Sequence, residues 1–171
     1  MPMVHFPVTD AIEKLKRLSN FHIHSIEQPI RTGQRDEMAR FCSISPIPIA
    51  LDEELIGVHS REQKVELLSS INPQHIILKP SLIGGLEQSD EWVELAKLQG
   101  TGWWVTSALE SNVGLNAIAQ WVFTHKPRVV QGLGTGQVFS NNIKSPLELR
   151  GSILFYNPEM KWDGLKDWMI E

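Results

Sequence analysis

Short apolar runs that each end in a polar residue or a glycine recur along this chain at nearly constant intervals. The runs end at Glu27, Asp52, Lys79, Thr106 and Gly134. Successive ends lie 25, 27, 27 and 28 residues apart. A unit of one strand, one helix and two turns takes about 25–30 residues. The interval therefore predicts an α/β fold in which about five parallel strand–helix units form part of a TIM-type (β/α) barrel.

The run that ends at Lys79 has the composition of a strand buried on both faces. Residues 75–78 are mostly apolar, and Pro80, Gly84 and Gly85 follow in turn positions. Strands of parallel sheets have this pattern because both of their faces are covered. By the same reasoning, further strands are predicted over residues 21–27, 47–52, 103–107 and 128–134.

Segments with the apolar spacing of helices lie between these runs. Asp10 is predicted to cap the first helix, with Glu13 three residues later as in a capping box. Asn72 and Pro73 are predicted to end a helix that begins at Arg61. Beyond residue 138 the helical pattern fails, and short strands are expected instead. The predicted helices cover about residues 10–18, 34–43, 61–71, 86–98 and 115–122, and the predicted short strands cover residues 147–149 and 152–156.

The carboxyl ends of the strands of a barrel meet at one mouth, so Glu27, Asp52, Lys79 and Thr106 are predicted to share a site. Carboxylates are ligands that Mg²⁺ prefers, and a lysine beside them can act as an acid or base or stabilise an anion. Together these groups suit a reaction in which a proton is lost beside a carboxylate. Simpler interpretations stay open: a solvated lysine, a salt bridge at Glu27 and an acidic helix start over residues 52–54.

The composition is that of an ordinary single-domain protein. Of its 171 residues, 42% are hydrophobic and 21% are charged, and the net charge is −4. This charge and the absence of a basic cluster argue against nucleic acid as a partner. No apolar run approaches the roughly 20 residues of a membrane span, so we expect no membrane contact and a cytoplasmic location. The single cysteine, Cys42, is expected to be a buried apolar residue on a helix.

Three weaker patterns concern ligands. His22 and His24 could bind zinc from one face of a strand, but packing of both rings is preferred because a third ligand is missing. Thr106, Ser107 and Glu110 are expected to hydrogen-bond a substrate carboxylate, to cap the next helix, or both. The glycines of residues 132–136 lack the spacing of a dinucleotide or phosphate loop, and they predict close approach of the backbone at the barrel mouth.

Four ordered motifs resemble the barrel strands of the enolase superfamily, most closely the o-succinylbenzoate synthase family of menaquinone biosynthesis. The similarity extends over about residues 10–162. The motifs are Ile26-Glu27-Gln28-Pro29, Ala50-Leu51-Asp52-Glu53, Ile77-Leu78-Lys79-Pro80-Ser81 and Ser107-Ala108-Leu109-Glu110-Ser111-Asn112-Val113-Gly114-Leu115.

The resemblance implies a metal site and a reaction. Glu27 and Asp52 are implied to bind Mg²⁺ or Mn²⁺, with Glu53 supporting these ligands. Lys79 is implied to stabilise the enediolate formed from a small carboxylate substrate. The implied reaction is loss of water from a cyclohexadiene carboxylate bearing a succinyl group, which yields o-succinylbenzoate. The residues expected in the substrate site are Thr106, Ser107, Glu110 and Gly134.

Members of this family also carry a capping domain, a Lys-x-Lys pair and a further metal-binding aspartate. Residues 1–9 contain neither lysine nor aspartate. The resemblance therefore implies about five of eight barrel units over residues 1–138, and an extension over residues 139–171 that returns to a capping domain. We expect such a chain to bind metal poorly and not to turn over by itself. Open sheet edges and the apolar tail around Trp162 would favour self-association.

Other activities stay open. N-succinylamino acid racemases share the same scaffold, and dipeptide epimerases and muconate cycloisomerases are the nearest rivals within the superfamily. The epimerase pattern has acidic residues on its last strand, whereas residues 132–134 contain none, so that activity ranks lower. A non-catalytic fragment that only folds or assembles is the alternative from a different class.

Overall fold

The computed structural model describes residues 5–135 and 138–163. Strands and helices alternate through most of this part of the chain, and four strands form one sheet. The predicted α/β class and partial barrel are confirmed. The strands of the sheet are β1 (Ile26–Glu27), β2 (Ile49–Leu51), β3 (His75–Leu78) and β4 (Gly102–Val105); the helices are α1 (Val8–Leu18), α2 (Arg35–Ile44), α3 (Arg61–Ile71), α4 (Gly85–Gln99) and α5 (Asn112–His125); β5 (Leu147–Arg150) and β6 (Ile153–Tyr156) follow.

The four strands lie side by side in chain order, and every neighbouring pair is parallel. Glu27 at the end of β1 is aligned with Ala50 of β2, and Leu78 at the end of β3 is aligned with Val105 of β4. Parallel pairing in this register brings the carboxyl ends of all four strands to one edge of the sheet. The residues that follow the strands are therefore neighbours in space.

The fifth predicted strand, over residues 128–134, is reduced to a single bridge. Gly132 pairs with Thr106 in parallel orientation, and the rest of the run does not join the sheet. Val129 and Val130 are 50% and 91% exposed, so this run lacks the apolar cover that stabilises a central strand. The predicted position beside β4 was right, but the predicted length was wrong.

The first predicted strand is also shorter than expected. Only Ile26–Glu27 joins the sheet, instead of all of residues 21–27. A 3₁₀ turn (Ser19–Phe21) comes first, and His22 then adopts a φ of +53°. Because a left-handed residue breaks the alternation of a strand, the prediction that His22 and His24 share one strand face was wrong.

The core of the domain fixes which strand residues face the predicted site. Leu51, Ile76 and Leu78 pack on the helices in one apolar cluster with Trp92 of α4, and all four are fully buried. Successive side chains of a strand point to opposite faces of a sheet. Lys79, which follows Leu78, therefore points away from the helices and towards the ends of the neighbouring strands.

The helix boundaries lie within a few residues of the predicted ones, but one cap differs. Pro7 precedes α1, and no side chain caps this helix, so the prediction of Asp10 as a cap was wrong. Asp10 lies in the first turn instead, with its carboxylate 3.9 Å from the Lys14 amine. A complete capping box begins α3, where Ser60 Oγ accepts a hydrogen bond from the Gln63 N–H at 3.2 Å.

The end of the described chain forms a separate hairpin. Strands β5 and β6 pair in antiparallel fashion, which confirms the two short strands predicted there. Leu154 packs against the core, while Tyr156 is 55% exposed. Trp162, which belongs to the predicted apolar tail, is partly buried.

The environment of Cys42 and the character of the helices bear on two predictions made from composition. Cys42 is a buried residue of α2, as predicted, and burial raises the pKa of its thiol to about 12. The thiol is therefore protonated and unreactive at neutral pH. Within the described ranges, none of the helices has both the length and the apolar character required to cross a membrane.

The capping box of α3 provides a test of local stability. Because Ser60→Ala removes the acceptor for the Gln63 N–H, we expect the free energy of unfolding to fall by about 1 kcal/mol. Ser69→Ala is the matched control: Ser69 is exposed on the same helix and bonds only to carbonyls of that helix, so alanine there should cost nothing. Urea unfolding followed by circular dichroism measures both variants. Equal midpoints for the two variants would contradict the role of the box.

Candidate active site

Three charged side chains meet at the carboxyl ends of the first three strands. Glu27 ends β1, Asp52 follows β2 and Lys79 follows β3. The Lys79 Nζ donates a hydrogen bond to Asp52 Oδ2 and lies 3.6 Å from Glu27 Oε1. The structure thus brings together residues that are far apart in sequence and that were predicted to converge.

Glu53 adds a third carboxylate, and we call Glu27, Asp52 and Glu53 the acid cluster. One oxygen from each of these residues lies within 4.8 Å of the other two. Asp52 is buried, the Glu27 side chain is 46% exposed, and Glu53 Oε2 is a buried atom without a hydrogen-bond partner. A divalent cation fits this group because it would satisfy the orphan oxygen and neutralise acids that otherwise repel one another.

The pKa values of the site reflect this crowding. Burial, together with the neighbouring Asp52 carboxylate, raises the pKa of Glu27 to about 7. Burial also raises the pKa of Glu53, and Asp52 adds to that effect. For Lys79, burial alone would lower the pKa, but the hydrogen bond and charge of Asp52, with the charges of the two glutamates, outweigh it and raise the pKa. Lys79 is therefore protonated at neutral pH, whereas Glu27 is near the midpoint of its titration there.

A buried amide lies directly beside the acid cluster. Gln28 is 2% exposed, and its Oε1 accepts a hydrogen bond from the Asp52 N–H at 3.2 Å. Its Nε2 donates to Glu54 Oε2 and to the Ile30 carbonyl, both at 3.1 Å, and Glu54 Oε1 accepts from the Gly33 N–H at 3.0 Å. The Gln28–Glu54 pair was not predicted, because the periodicity of a sequence does not mark a buried amide. Their positions directly after Glu27 and Glu53 are the only signal in the sequence.

Glu110 joins the loops that follow β3 and β4. Its Oε1 accepts hydrogen bonds from the Ser81 hydroxyl at 2.6 Å and the Ala108 N–H at 3.0 Å, and its Oε2 accepts from the Ser107 hydroxyl at 2.5 Å. Burial alone would raise the pKa of Glu110, but these hydrogen bonds together lower it. Ser111 precedes α5 without a capping hydrogen bond from its side chain, and the first N–H of the helix, that of Asn112, donates to Asn142 Oδ1 at 2.8 Å, so the alternative in which Thr106, Ser107 or Glu110 caps this helix was wrong.

Thr106 and Gly134 follow the strand ends farther along the sheet. The Thr106 hydroxyl donates to the Gly132 carbonyl at 3.0 Å, and a Cβ atom on Gly132 would meet that hydroxyl at 2.7 Å. The predicted close approach of the backbone is therefore found at Gly132, where only glycine leaves room. Gly134 lines a cavity of about 360 Å³ together with Asn112 and residues of the hairpin, and Lys79 does not line this cavity.

The two histidines do not form a zinc pair. Both side chains are exposed, but the His24 ring lies 5.0 Å from the His75 ring and 5.8 Å from the Trp104 ring. The packing interpretation therefore holds for His24 and fails for His22. In the part of the chain that the structure describes, the acid cluster is the group of side chains arranged to hold a metal ion.

Comparison with known proteins assigns the domain to a family. The family model described as "Enolase C-terminal domain-like" matches residues 4–152. The chain belongs to this family. The resemblance drawn from the four strand-end motifs is thereby confirmed.

The chain is homologous to curated o-succinylbenzoate synthases. The enzyme of that name from Desulfotalea psychrophila is 56% identical over 149 residues, which are 87% of this chain and 40% of that protein. The enzyme of that name from Escherichia coli is 32% identical over 110 residues, which are 64% of this chain and 32% of that protein. The chain therefore spans between about a third and two fifths of the length of these relatives.

Solved structures place the domain in the same family fold. The crystal structure of MenC from Desulfotalea psychrophila matches with a TM-score of 0.84 at 56% identity, covering 87% of this chain and 42% of that one. Muconate lactonizing enzyme from Pseudomonas putida matches with a TM-score of 0.76 at 24% identity, covering 87% of this chain and 41% of that one. At that identity the second likeness supports the fold alone.

Glu27 makes the stability of the domain depend on pH. Its pKa of about 7 in the fold lies above the ordinary carboxyl value, so the folded state binds the proton more tightly than the unfolded state. The stability from this proton is fully present below the unfolded pKa and is lost as the pH rises through about 7. Because the side chain is 46% exposed, solvent screening reduces the effect to about 1 kcal/mol.

Glu27→Gln removes this ionisation, so the melting temperature of the variant relative to wild type should be higher at pH 8 than at pH 5 by about 2–4 °C. Glu159→Gln, on an exposed turn beyond the hairpin, is the control and should differ from wild type by the same amount at both pH values. Scanning calorimetry at the two pH values measures the differences. A Glu27→Gln effect that does not change with pH would show that the Glu27 pKa is not raised.

Proposed function

We propose that the chain is part of a Mg²⁺-dependent o-succinylbenzoate synthase, a carbon–oxygen lyase of menaquinone biosynthesis. One observation carries this proposal: Lys79 contacts the acid cluster in a chain that is 56% identical to such a synthase over 87% of its own length. Both parts are needed, because the fold hosts many activities and an ion pair alone is commonly structural.

Glu27 and Asp52 are the residues that would hold Mg²⁺ or Mn²⁺, and Glu53 would support them from beside the ligands. The buried Oε2 atom of Glu53 that lacks a partner supports this assignment. Carboxylate oxygens are the preferred ligands of these hard cations. When bound, such an ion supplies the Lewis acidity that eases loss of a proton beside a substrate carboxylate.

Lys79 stabilises the anion that forms when the substrate loses its proton. The raised pKa keeps Nζ protonated, so the side chain is suited to neutralise negative charge and not to remove the proton. Its side chain is only 18% exposed, and weak exposure to solvent strengthens its interaction with an anion. In this proposal, the base that removes the proton belongs to the rest of the full-length enzyme.

The substrate carboxylate on the succinyl arm is bound by the hydroxyls of Thr106 and Ser107. In this structure the Ser107 hydroxyl donates to Glu110 Oε2 at 2.5 Å and the Thr106 hydroxyl to the Gly132 carbonyl at 3.0 Å, so each must turn its single proton towards the substrate on binding. Glu110 is ionised and would repel that carboxylate, so its role is to hold the loops after β3 and β4 together through Ser81 and the Ala108 N–H. Gly134 is assigned to the substrate site by the family resemblance, since neither Lys79 nor Ser107 lines the cavity beside it.

The complete reaction is assigned to a full-length enzyme, because the relatives are more than twice as long as the matched segment. In this proposal residues 1–138 supply about five barrel units and the segment from residue 139 onward would return to a capping domain; the last part of that predicted extension, residues 164–171, lies outside the described residues. The exposed Val129 and Val130 beside the Gly132 bridge mark an edge at which a further strand would pair. By itself, the chain is expected to bind metal weakly and to self-associate through such edges.

A chimaera tests this function. Residues 4–152 of this chain replace the matched segment of the Desulfotalea psychrophila enzyme, and formation of o-succinylbenzoate is measured beside the chain alone, both with Mg²⁺. We expect turnover by the chimaera and none by the chain alone. In the chimaera, Lys79→Ala should lower kcat by at least about 10²–10³-fold while metal binding stays largely intact.

Lys16→Ala is the matched control, since Lys16 lies on the exposed side of α1 and should leave kcat unchanged. A folded chimaera without turnover would contradict the proposed activity. Undiminished turnover by Lys79→Ala would remove Lys79 from the mechanism without contradicting the activity itself.

A further inference from the structure

Gln28 ties the end of β1 to the end of β2. This residue follows Glu27 and adopts a φ of +35°, a value that costs a residue other than glycine conformational energy. Its N–H donates to the Ala50 carbonyl at 2.9 Å, and its Oε1 accepts from the Asp52 N–H at 3.2 Å. The backbone and side chain of one residue thus hold the positions on both sides of Leu51, the last residue of β2.

The side-chain amide nitrogen of Gln28, Nε2, binds a fourth acid, Glu54. It donates to Glu54 Oε2, and the Gly33 N–H donates to Glu54 Oε1, so both oxygens of this carboxylate are satisfied without a cation. Glu54 is 7% exposed and does not belong to the acid cluster, although it directly follows Asp52 and Glu53 in sequence. The contact with Gln28 therefore separates Glu54 from the two acids beside it.

Two other glutamines make the same kind of contact with strand backbones. Gln74 Oε1 accepts from the Ile49 N–H at 3.0 Å, and Gln131 Oε1 accepts from the Val105 N–H at 2.8 Å. Gln74 acts at the amino end of β2, opposite the end that carries the acids. All three glutamines thus accept a hydrogen bond from a backbone N–H in a strand or directly after one. Of the three, only Gln28 follows one proposed metal ligand, Glu27, and bonds to the backbone of the other, Asp52.

We propose that Gln28 is a positioning residue for the binding of a divalent cation by Glu27 and Asp52, with Glu54 as its partner. This inference rests on the proposed function. A neutral amide fixes the Asp52 backbone and the Glu54 carboxylate without adding charge to the acid cluster. An apolar residue at position 28 would leave the Asp52 N–H and one Glu54 oxygen without partners in a buried place. Groups that orient metal ligands in this way strongly affect metal affinity.

The test measures Mn²⁺ binding to this chain from the paramagnetic broadening of amide resonances near the acid cluster, which detects weak affinities. Gln28→Leu removes the three side-chain hydrogen bonds to the Asp52 N–H, Glu54 and the Ile30 carbonyl, and we expect the affinity to fall about 10- to 100-fold. Gln74→Leu is the matched control, because it removes a similar contact from the other end of β2. Its affinity should stay within about twofold of wild type, because it orients no metal ligand.

A second variant is used because Gln28→Leu changes the shape of the side chain as well as its hydrogen bonds. Gln28→Met keeps the length and the unbranched shape of the side chain while removing its hydrogen bonds to the Asp52 N–H, Glu54 and the Ile30 carbonyl. We expect the same loss of Mn²⁺ affinity, about 10- to 100-fold. If Gln28→Leu does not fold, this variant decides the question: a folded Gln28→Met variant with wild-type Mn²⁺ affinity would overturn the proposal.

Equal losses of affinity in Gln28→Leu and Gln74→Leu, or no loss in Gln28→Leu, would also overturn the proposal. A wild-type chain without any broadening at millimolar Mn²⁺ would also overturn this inference, whereas the proposed function, which assigns metal binding to the full-length enzyme, is tested separately by turnover of the chimaera. Hydrogen exchange examines the contact independently of metal. An Asp52 amide that exchanges in wild type as fast as an exposed amide would show that Gln28 does not hold it.

Discussion

The site depends on the ion pair between Lys79 and Asp52, because the lysine offsets part of the negative charge of the acid cluster. Three carboxylates with oxygens within 4.8 Å of one another destabilise the fold, and one of them, Asp52, is buried. A buried acid needs a partner, and Lys79 supplies it from the next strand. The pair exists only because parallel strands in register bring their carboxyl ends together. The sheet brings together acids that repel one another. It also positions Lys79, whose positive charge offsets part of that repulsion.

Much of this arrangement could be predicted from the sequence because a strand–helix unit has a nearly constant length. The intervals between strand ends depend on the geometry of the unit and not on the sequence of its helix, so they predicted the parallel sheet. The meeting of Glu27, Asp52 and Lys79 followed from the same geometry. Short strands also followed from composition where both faces are covered, as in β3, whose Ile76, Ile77 and Leu78 are all buried.

The features that could not be predicted depend on contacts between distant residues. Gln28 and Glu54 satisfy each other, and neither residue alone has a pattern that marks it as buried. Lys64 is fully buried between α3 and α4, where its amine bonds to Gln88 Oε1 at 2.6 Å and to Glu91, although helical spacing alone would not bury a lysine. The fifth strand would be longer only if another element of the protein covered Val130. The apolar composition of residues 128–134 does not indicate whether such an element is present.

Under the proposed function, Glu27 and Asp52 would hold a cation whose charge neutralises them, as the Lys79 amine does in this structure. Two positive charges repel each other, so Asp52 would hold Lys79 less tightly, and the amine would be available to a substrate anion. The ion pair with Asp52 keeps the lysine protonated beside the place where that negative charge would develop. Such an exchange of partners requires that the Asp52 backbone stay fixed while its carboxylate changes partner, which is the constraint that the contact from Gln28 supplies.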